Sequence, residues 1–261
     1  MTAHPPAILH PSPTASRESA GPALTLTEHL EELRRRLGIS LAAFLIAIGV
    51  SACYVEWIID WLRQPVVAVL PRFAFFTPTE PLTAYINVAI LGGLVLAMPV
   101  LLWQLWGFVR TGLTAREQTS STAFMWWGSG QFITGVAFAY YAILPVSLRV
   151  LLGIGTAYLE PMISIGAYLS FVTTLLFWSG VIFELPVLLF LLAKIGIVTA
   201  EWLRQQRPYA ILVLVIVAAL VTPTTDPVNL LLMTVPLILL YELSIWITRI
   251  SMPQRPRRET S

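Results

Sequence analysis

The chain has 261 residues, 57% of them hydrophobic and only 11% charged, with a formal net charge of +2 and a mean hydropathy of +0.77. Soluble domains carry roughly 25% charged residues, so most of this surface does not meet water and the chain is an integral membrane protein. Its one cysteine, Cys53, lies inside an apolar run and leaves no partner for a disulfide or a thiolate metal site.

Residues 1–24 are rich in Pro, Ser, Ala and Thr and lack an apolar core, which predicts a disordered tail and not a cleaved signal peptide. Next comes Thr25-Leu26-Thr27-Glu28-His29-Leu30-Glu31-Glu32-Leu33-Arg34-Arg35-Arg36-Leu37. Leu26, Leu30, Leu33 and Leu37 share one stripe at helical spacing, and Thr25 with Glu28 forms a capping box. An amphipathic helix is expected over 25–36.

Uncharged runs follow at 37–55, 81–109, 118–148, 161–183 (continuing past Glu184 to Ala193), 208–225 and 227–241. The first four exceed the ~18–20 residues that cross a bilayer. The last two are shorter. Residues 209–221 make a helix only about 20 Å long against a hydrocarbon core of ~30 Å, which predicts a short span in a thinned bilayer. Basic residues fix the orientation. Arg17, Arg34, Arg35, Arg36, Arg110, Arg116, Lys194, Arg204, Arg207, Arg249, Arg255, Arg257 and Arg258 all fall on one side. Arg63, Arg72 and Arg149 occupy the alternate loops. By the positive-inside rule both termini are cytoplasmic and there are six spans.

The first external loop, 57–81, carries Pro65, Pro71 and Pro78 with Trp57, Trp61, Phe73, Phe75 and Phe76. Prolines favour a fixed cap over a floppy tether. Pro99, Pro186 and Pro236 should kink three spans. The expected fold is therefore all-α: a concave bundle of six transmembrane helices, the last two short, over residues 25–248, followed by a basic cytoplasmic tail at 249–261.

Several chemistries are excluded. The only lysine, Lys194, follows no glycine-rich turn, so there is no P-loop. His4, His10 and His29 all precede the first span, so no serine–histidine pair can form within the membrane. No His/Cys cluster could hold a transition metal, and paired carboxylates for a magnesium site are absent. No enzyme activity, cofactor or nucleic-acid partner is expected. Transport, binding or scaffolding remains.

Glu31/Arg35 and Glu32/Arg36 are i,i+4 pairs, worth a few tenths of a kcal/mol as plain helix stabilisers. Read functionally, an acidic group at the membrane face binds a cationic peptide through guanidinium–carboxylate geometry. Glu117, in Phe108-Val109-Arg110-Thr111-Gly112-Leu113-Thr114-Ala115-Arg116-Glu117, is a second carboxylate. Two separated carboxylates suit a ligand with two adjacent arginines. Glu184 interrupts the fourth span, where a carboxylate costs ~2.5–3.5 kcal/mol on insertion scales; it belongs in a bundle cavity. Gln104 is expected to be a polar partner within the bundle, and Asp226 to cap the sixth helix. Glu242 is expected to pair with water or Arg249.

Four patterns together carry a resemblance: His29-Leu30-x-Glu32-Leu33-Arg34-x-Arg36, Phe108 with Leu113 and Glu117, Phe183-Glu184-x-Pro186-Val187, and Thr222-Pro223 with Asp226 and Pro236. The chain resembles the TatC family, the polytopic core of the twin-arginine protein translocase. Thr111 stands where that family usually has a proline, and Leu230 where it usually has a glutamine. The resemblance implies that Glu32 and Glu117, with Arg34, Arg36, Phe108 and Leu113, form a site for twin-arginine signal peptides. It implies that Glu184 contacts TatA- and TatB-type single-span helices. Also implied are other copies of the chain in a larger complex within the lipid bilayer of a bacterial-type plasma membrane, and export of folded proteins by the proton-motive force. The alternatives are a proton-coupled secondary transporter of a small solute, with Glu184 as its coupling site, and a passive scaffold. No inverted repeat is evident, and the spans are unequal, which disfavours the transporter.

Overall fold

The computed structural model describes residues 26–67, 73–111, 121–153, 162–221 and 227–251. Among these, five helices are long and apolar enough to cross a membrane: Leu30–Cys53, Glu80–Arg110, Met125–Gly153, Ile165–Lys194 and Asn229–Ile250. Residues 1–24 and 252–261, Thr25, Leu113, Glu117 and Asp226 lie outside the described residues, and the expectations placed on them with them.

Helix α1 (Leu26–Cys53) is continuous. The charged segment and the first span are thus one helix of about 42 Å, with no proline to divide them. Leu30, Leu33 and Leu37 are exposed along it. Helix α2 (Val55–Arg63) lies within what reads as a loop, with Val55, Ile59 and Leu62 buried. Two tyrosines tie down its C-terminal end. Tyr140 donates its hydroxyl to the Trp61 carbonyl at 2.7 Å and stacks on the Trp61 ring at 3.9 Å. Tyr168 donates to the Leu62 carbonyl at 2.8 Å. Such C-terminal carbonyls lack an i+4 partner; Tyr168 satisfies that of Leu62, and Tyr140 shares that of Trp61 with the Gln64 amide, at 3.2 Å. Pro65 sits half-buried in the turn that follows. The Ile165 amide donates to the Ala74 carbonyl at 2.9 Å and joins this loop to the start of the fourth span.

Helix α3 (Glu80–Thr111) runs through Pro99 without a break. Helix α4 (Ser121–Phe138) passes through a π-turn (Ala139–Ile143) into α5 (Leu144–Gly153). The turn precedes Pro145, whose ring would clash with the carbonyl four residues back; the wider i→i+5 bond from the Leu144 amide to the Ala139 carbonyl avoids this. In the fourth span α6 (Ile165–Phe183) ends at Glu184 and α7 (Leu185–Lys194) begins. Pro186 has no N–H to offer Ile182, and the helix breaks two residues before it, at Glu184. Of the three prolines expected to kink spans, Pro186 breaks its helix, whereas α3 and α10 continue past Pro99 and Pro236.

A short helix, α8 (Ala200–Gln205), precedes α9 (Arg207–Val221). At 15 residues, α9 is about 22 Å long, as expected. The last helix is a correction. Helix α10 (Pro227–Ser251) has 25 residues and is not short. Glu242 does not end it, because Arg207 Nη2 lies 2.6 Å from Glu242 Oε2 and the apolar sequence resumes at Leu243. Arg207, and not Arg249, is thus the Glu242 partner.

Helix α6 is central: Leu169, Val172, Leu175 and Leu176 are buried against Val88 and Leu91 of α3, Ile143 and Leu144, and Met233 and Leu237 of α10. Within lipid, burial of apolar surface gives little drive, and close packing between small residues takes its place. At Gly93 a β-carbon would fall 2.8 Å from the Ile48 backbone.

Candidate functional site

Helices α1 and α3 run antiparallel. Ser51 lies beside Gly92, Ile48 beside Gly93 and Arg36 beside Gly107. That register carries Arg36 to the last turns of α3. Its Nη2 lies 2.6 Å from Glu32 Oε1, and its Nη1 donates to Gln104 Oε1 at 3.3 Å. A β-carbon at Gly107 would overlap the guanidinium, so the absence of a side chain there leaves it room. Trp103, Trp106, Gly107 and Arg110 line the rest of a cavity of about 80 Å³ beside Arg36.

Burial separates this pair from an ordinary surface pair. The Arg36 and Glu32 side chains are 18% and 24% exposed. Screening is weaker and the hydrogen bonds stronger than on an open helix face. Arg35 is different: it is 77% exposed, and its Nη1 is 4.0 Å from Glu32 Oε2. The expected Glu31/Arg35 pair is thus replaced by an i,i+3 contact to Glu32. Arg34 is exposed and Phe108 half-buried. Of the predicted peptide-site residues, Glu32 and Arg36 come together. Gln104, expected to serve the intramembrane site, joins them instead. Sequence reasoning missed Gly107 and Trp103; the available signal was the spacing of 104 and 107, which share a helix face.

Glu184 forms a second site. As the residue between α6 and α7 it turns its carboxylate toward α4, where a β-carbon on Gly128 would lie 3.5 Å from Oε2. Leu102 and Val187 also border Gly128. Both carboxylate oxygens are buried without a hydrogen-bond partner among the described residues. Glu184 is about 15 Å of helix from Lys194, well inside the span. Leu102 and Gln104 point about 200° apart around α3, so the Glu184 site and the Arg36 site lie on nearly opposite faces of that helix.

A cavity of about 290 Å³ at the opposite end of α3, lined by Glu80, Thr83, Asn87, Gly166 and Ser170 among others, is not foreshadowed by any sequence pattern. Among the described residues no group of three or more His, Cys, Asp or Glu could hold a metal.

A family model described as Sec-independent protein translocase protein (TatC) matches residues 28–236. The Sec-independent protein translocase protein TatC of Carboxydothermus hydrogenoformans is 38% identical over 231 residues, 88% of this chain and 95% of the relative. That of Aquifex aeolicus is 36% identical over 232 residues, 87% of this chain and 96% of the relative. A crystal structure of the twin arginine translocase receptor TatC superposes with a TM-score of 0.74 at 35% identity, covering 86% of this chain and 99% of that one. A second, in DDM, gives 0.76 at 35% identity over 85% and 100%.

Proposed function

From the premise that the chain belongs to the TatC family of Sec-independent protein translocase proteins, we propose that it is the receptor of a twin-arginine translocase and binds twin-arginine signal peptides at Glu32. One observation carries this reading: a carboxylate, an amide oxygen and a glycine floor are arranged around a guanidinium at the seam of α1 and α3. Glu117, Phe108, Leu113 and Arg34 complete the peptide site. The site faces the cytoplasm, with both termini, in a bacterial plasma membrane. Helix α9 is the sixth span, in a locally thinned bilayer.

Glu184 is the contact for TatA- and TatB-type single-span helices, and further copies of the chain assemble around it. A polar group on a partner helix supplies the hydrogen bond that its carboxylate lacks among the described residues, and such a bond is worth ~1–2 kcal/mol in designed membrane helices. Folded proteins then cross, driven by the proton-motive force. No side chain has a catalytic role. The small-solute transporter is set aside, since the translocase relatives match over nearly their whole length.

The test is export of a folded reporter carrying a twin-arginine signal, in a host deleted for its own copy of this gene. Reintroducing the gene restores export; a Glu32→Gln, Glu117→Gln double variant, inserted at normal levels, does not. Export that is equal with and without the gene overturns the proposal.

A further inference from the structure

In the free protein the Glu32 carboxylate already has a guanidinium. We propose that Glu32 and Gln104 form a guanidinium subsite which Arg36 fills until a peptide arginine displaces it, and that Gln104 makes arginine preferred over lysine there. This rests on the assignment of the peptide site to Glu32.

The geometry is that of a cradle and not of a chance surface pair. Arg36 reaches two acceptors on two helices with two different nitrogens, Nη2 to Glu32 and Nη1 to Gln104. Gly107 floors the space, and the Trp103 and Trp106 side chains wall the adjoining cavity. A flat, forked cation bordered by indoles fits this shape. A lysine ammonium is a single point charge on a flexible stem and cannot reproduce the two-acceptor fork.

Arg36 is also an imperfect occupant. Its Nε is buried with no hydrogen-bond partner among the described residues. Held four residues from Glu32 on the same helix, it cannot enter the cradle from the direction that would satisfy every donor. A peptide arginine enters free of that tether, and its net gain at this subsite is the difference between its own contacts and the imperfect ones that Arg36 gives up. The freed Arg36 extends to the membrane surface, as long basic side chains do.

The experiment uses the full-length protein in lipid nanodiscs. Two fluorescent peptides are titrated, one with the Arg-Arg pair and one with Lys-Lys in its place. Arg36→Met removes the resident and should tighten Arg-Arg binding about tenfold, the scale of one charged hydrogen bond. Arg36→Lys, the milder replacement, should tighten it less. Gln104→Leu should weaken Arg-Arg binding about tenfold and leave Lys-Lys nearly unchanged, so the preference collapses. Glu32→Gln runs in parallel. If it leaves affinity unaltered, the peptide binds elsewhere and the peptide-site assignment falls along with this inference. If Glu32→Gln weakens binding, while both Arg36 variants also weaken it and Gln104→Leu keeps the wild-type preference, the displacement inference alone is overturned.

Discussion

Glu184 faces Gly128 across the α4–α6 contact, so close that a β-carbon on the glycine would sit 3.5 Å from Oε2. The Leu102 side chain fills the space beside that glycine, so a partner helix brings a hydrogen-bonding group to the carboxylate by moving that flexible side chain aside. Glu184→Gln keeps hydrogen-bonding capacity and should preserve insertion and peptide capture. Glu184→Ala should reduce site-specific crosslinking from neighbouring positions to a TatA- or TatB-type helix while sparing peptide capture. Reaction of position 184 with lipid alone would remove Glu184 from any partner contact.

The α1–α3 seam sets the position of Arg36, and Gly93 holds the seam close. Gly93→Ala places a methyl 2.8 Å from the Ile48 backbone, which cannot yield as a flexible side-chain tip would. Overpacking of this kind costs about 1–3 kcal/mol. Gly38, where an added β-carbon would meet nothing within 4 Å, is the control: Gly38→Ala should leave the thermal midpoint in detergent unchanged or raise it slightly. A Gly93→Ala midpoint equal to wild type would show that the helices are not in backbone contact.

The α2 cap, on the outer face in the proposed orientation, depends on Tyr168, whose hydroxyl satisfies a helix-terminal carbonyl at Leu62. Tyr168→Phe leaves that carbonyl buried and unpaired and should cost about 1–3 kcal/mol. The measurement is the protease sensitivity of the segment around α2 in everted and right-side-out vesicles. Faster cleavage is expected in the variant, and only where the outer face is accessible.

Much of this architecture was legible in the chain. The long apolar runs marked the spans, Pro208 and Pro223 bounded the short α9, and Pro186 marked the fourth span as one that bends, which it does at Glu184. Helix α2 was hidden because Glu56, Asp60 and Arg63 mask the apolar face of Val55, Ile59 and Leu62 at the same helical spacing. The full length of α10 was hidden by Glu242, whose charge is met by an arginine 35 residues away. Likewise, the Arg36–Gln104 contact spans 68 residues, and no local pattern reports the helix register that creates it. Pro145 and its π-turn lie within a run whose uniform apolarity conceals the missing N–H.

Topology around α9 can be read with single cysteines in a Cys53→Ser background, needed because Cys53 is free and exposed. Gln205→Cys should react only with reagent from the cytoplasmic side and Thr224→Cys only from outside. Labelling of both from one side would make α9 a surface or re-entrant helix and leave five spans.

Recognition of twin arginines by Glu32 is tested most directly by photocrosslinking. A signal peptide carrying a probe next to its arginine pair is irradiated with the purified full-length protein, and the products are mapped. Crosslinks are expected on α1 around residues 32–36 and on α3 around 104–110, falling at least about tenfold when Glu32→Gln and Glu117→Gln are combined, the loss expected for one charged hydrogen bond or more. Crosslinks of undiminished yield at the same positions, with both carboxylates gone, would contradict the account.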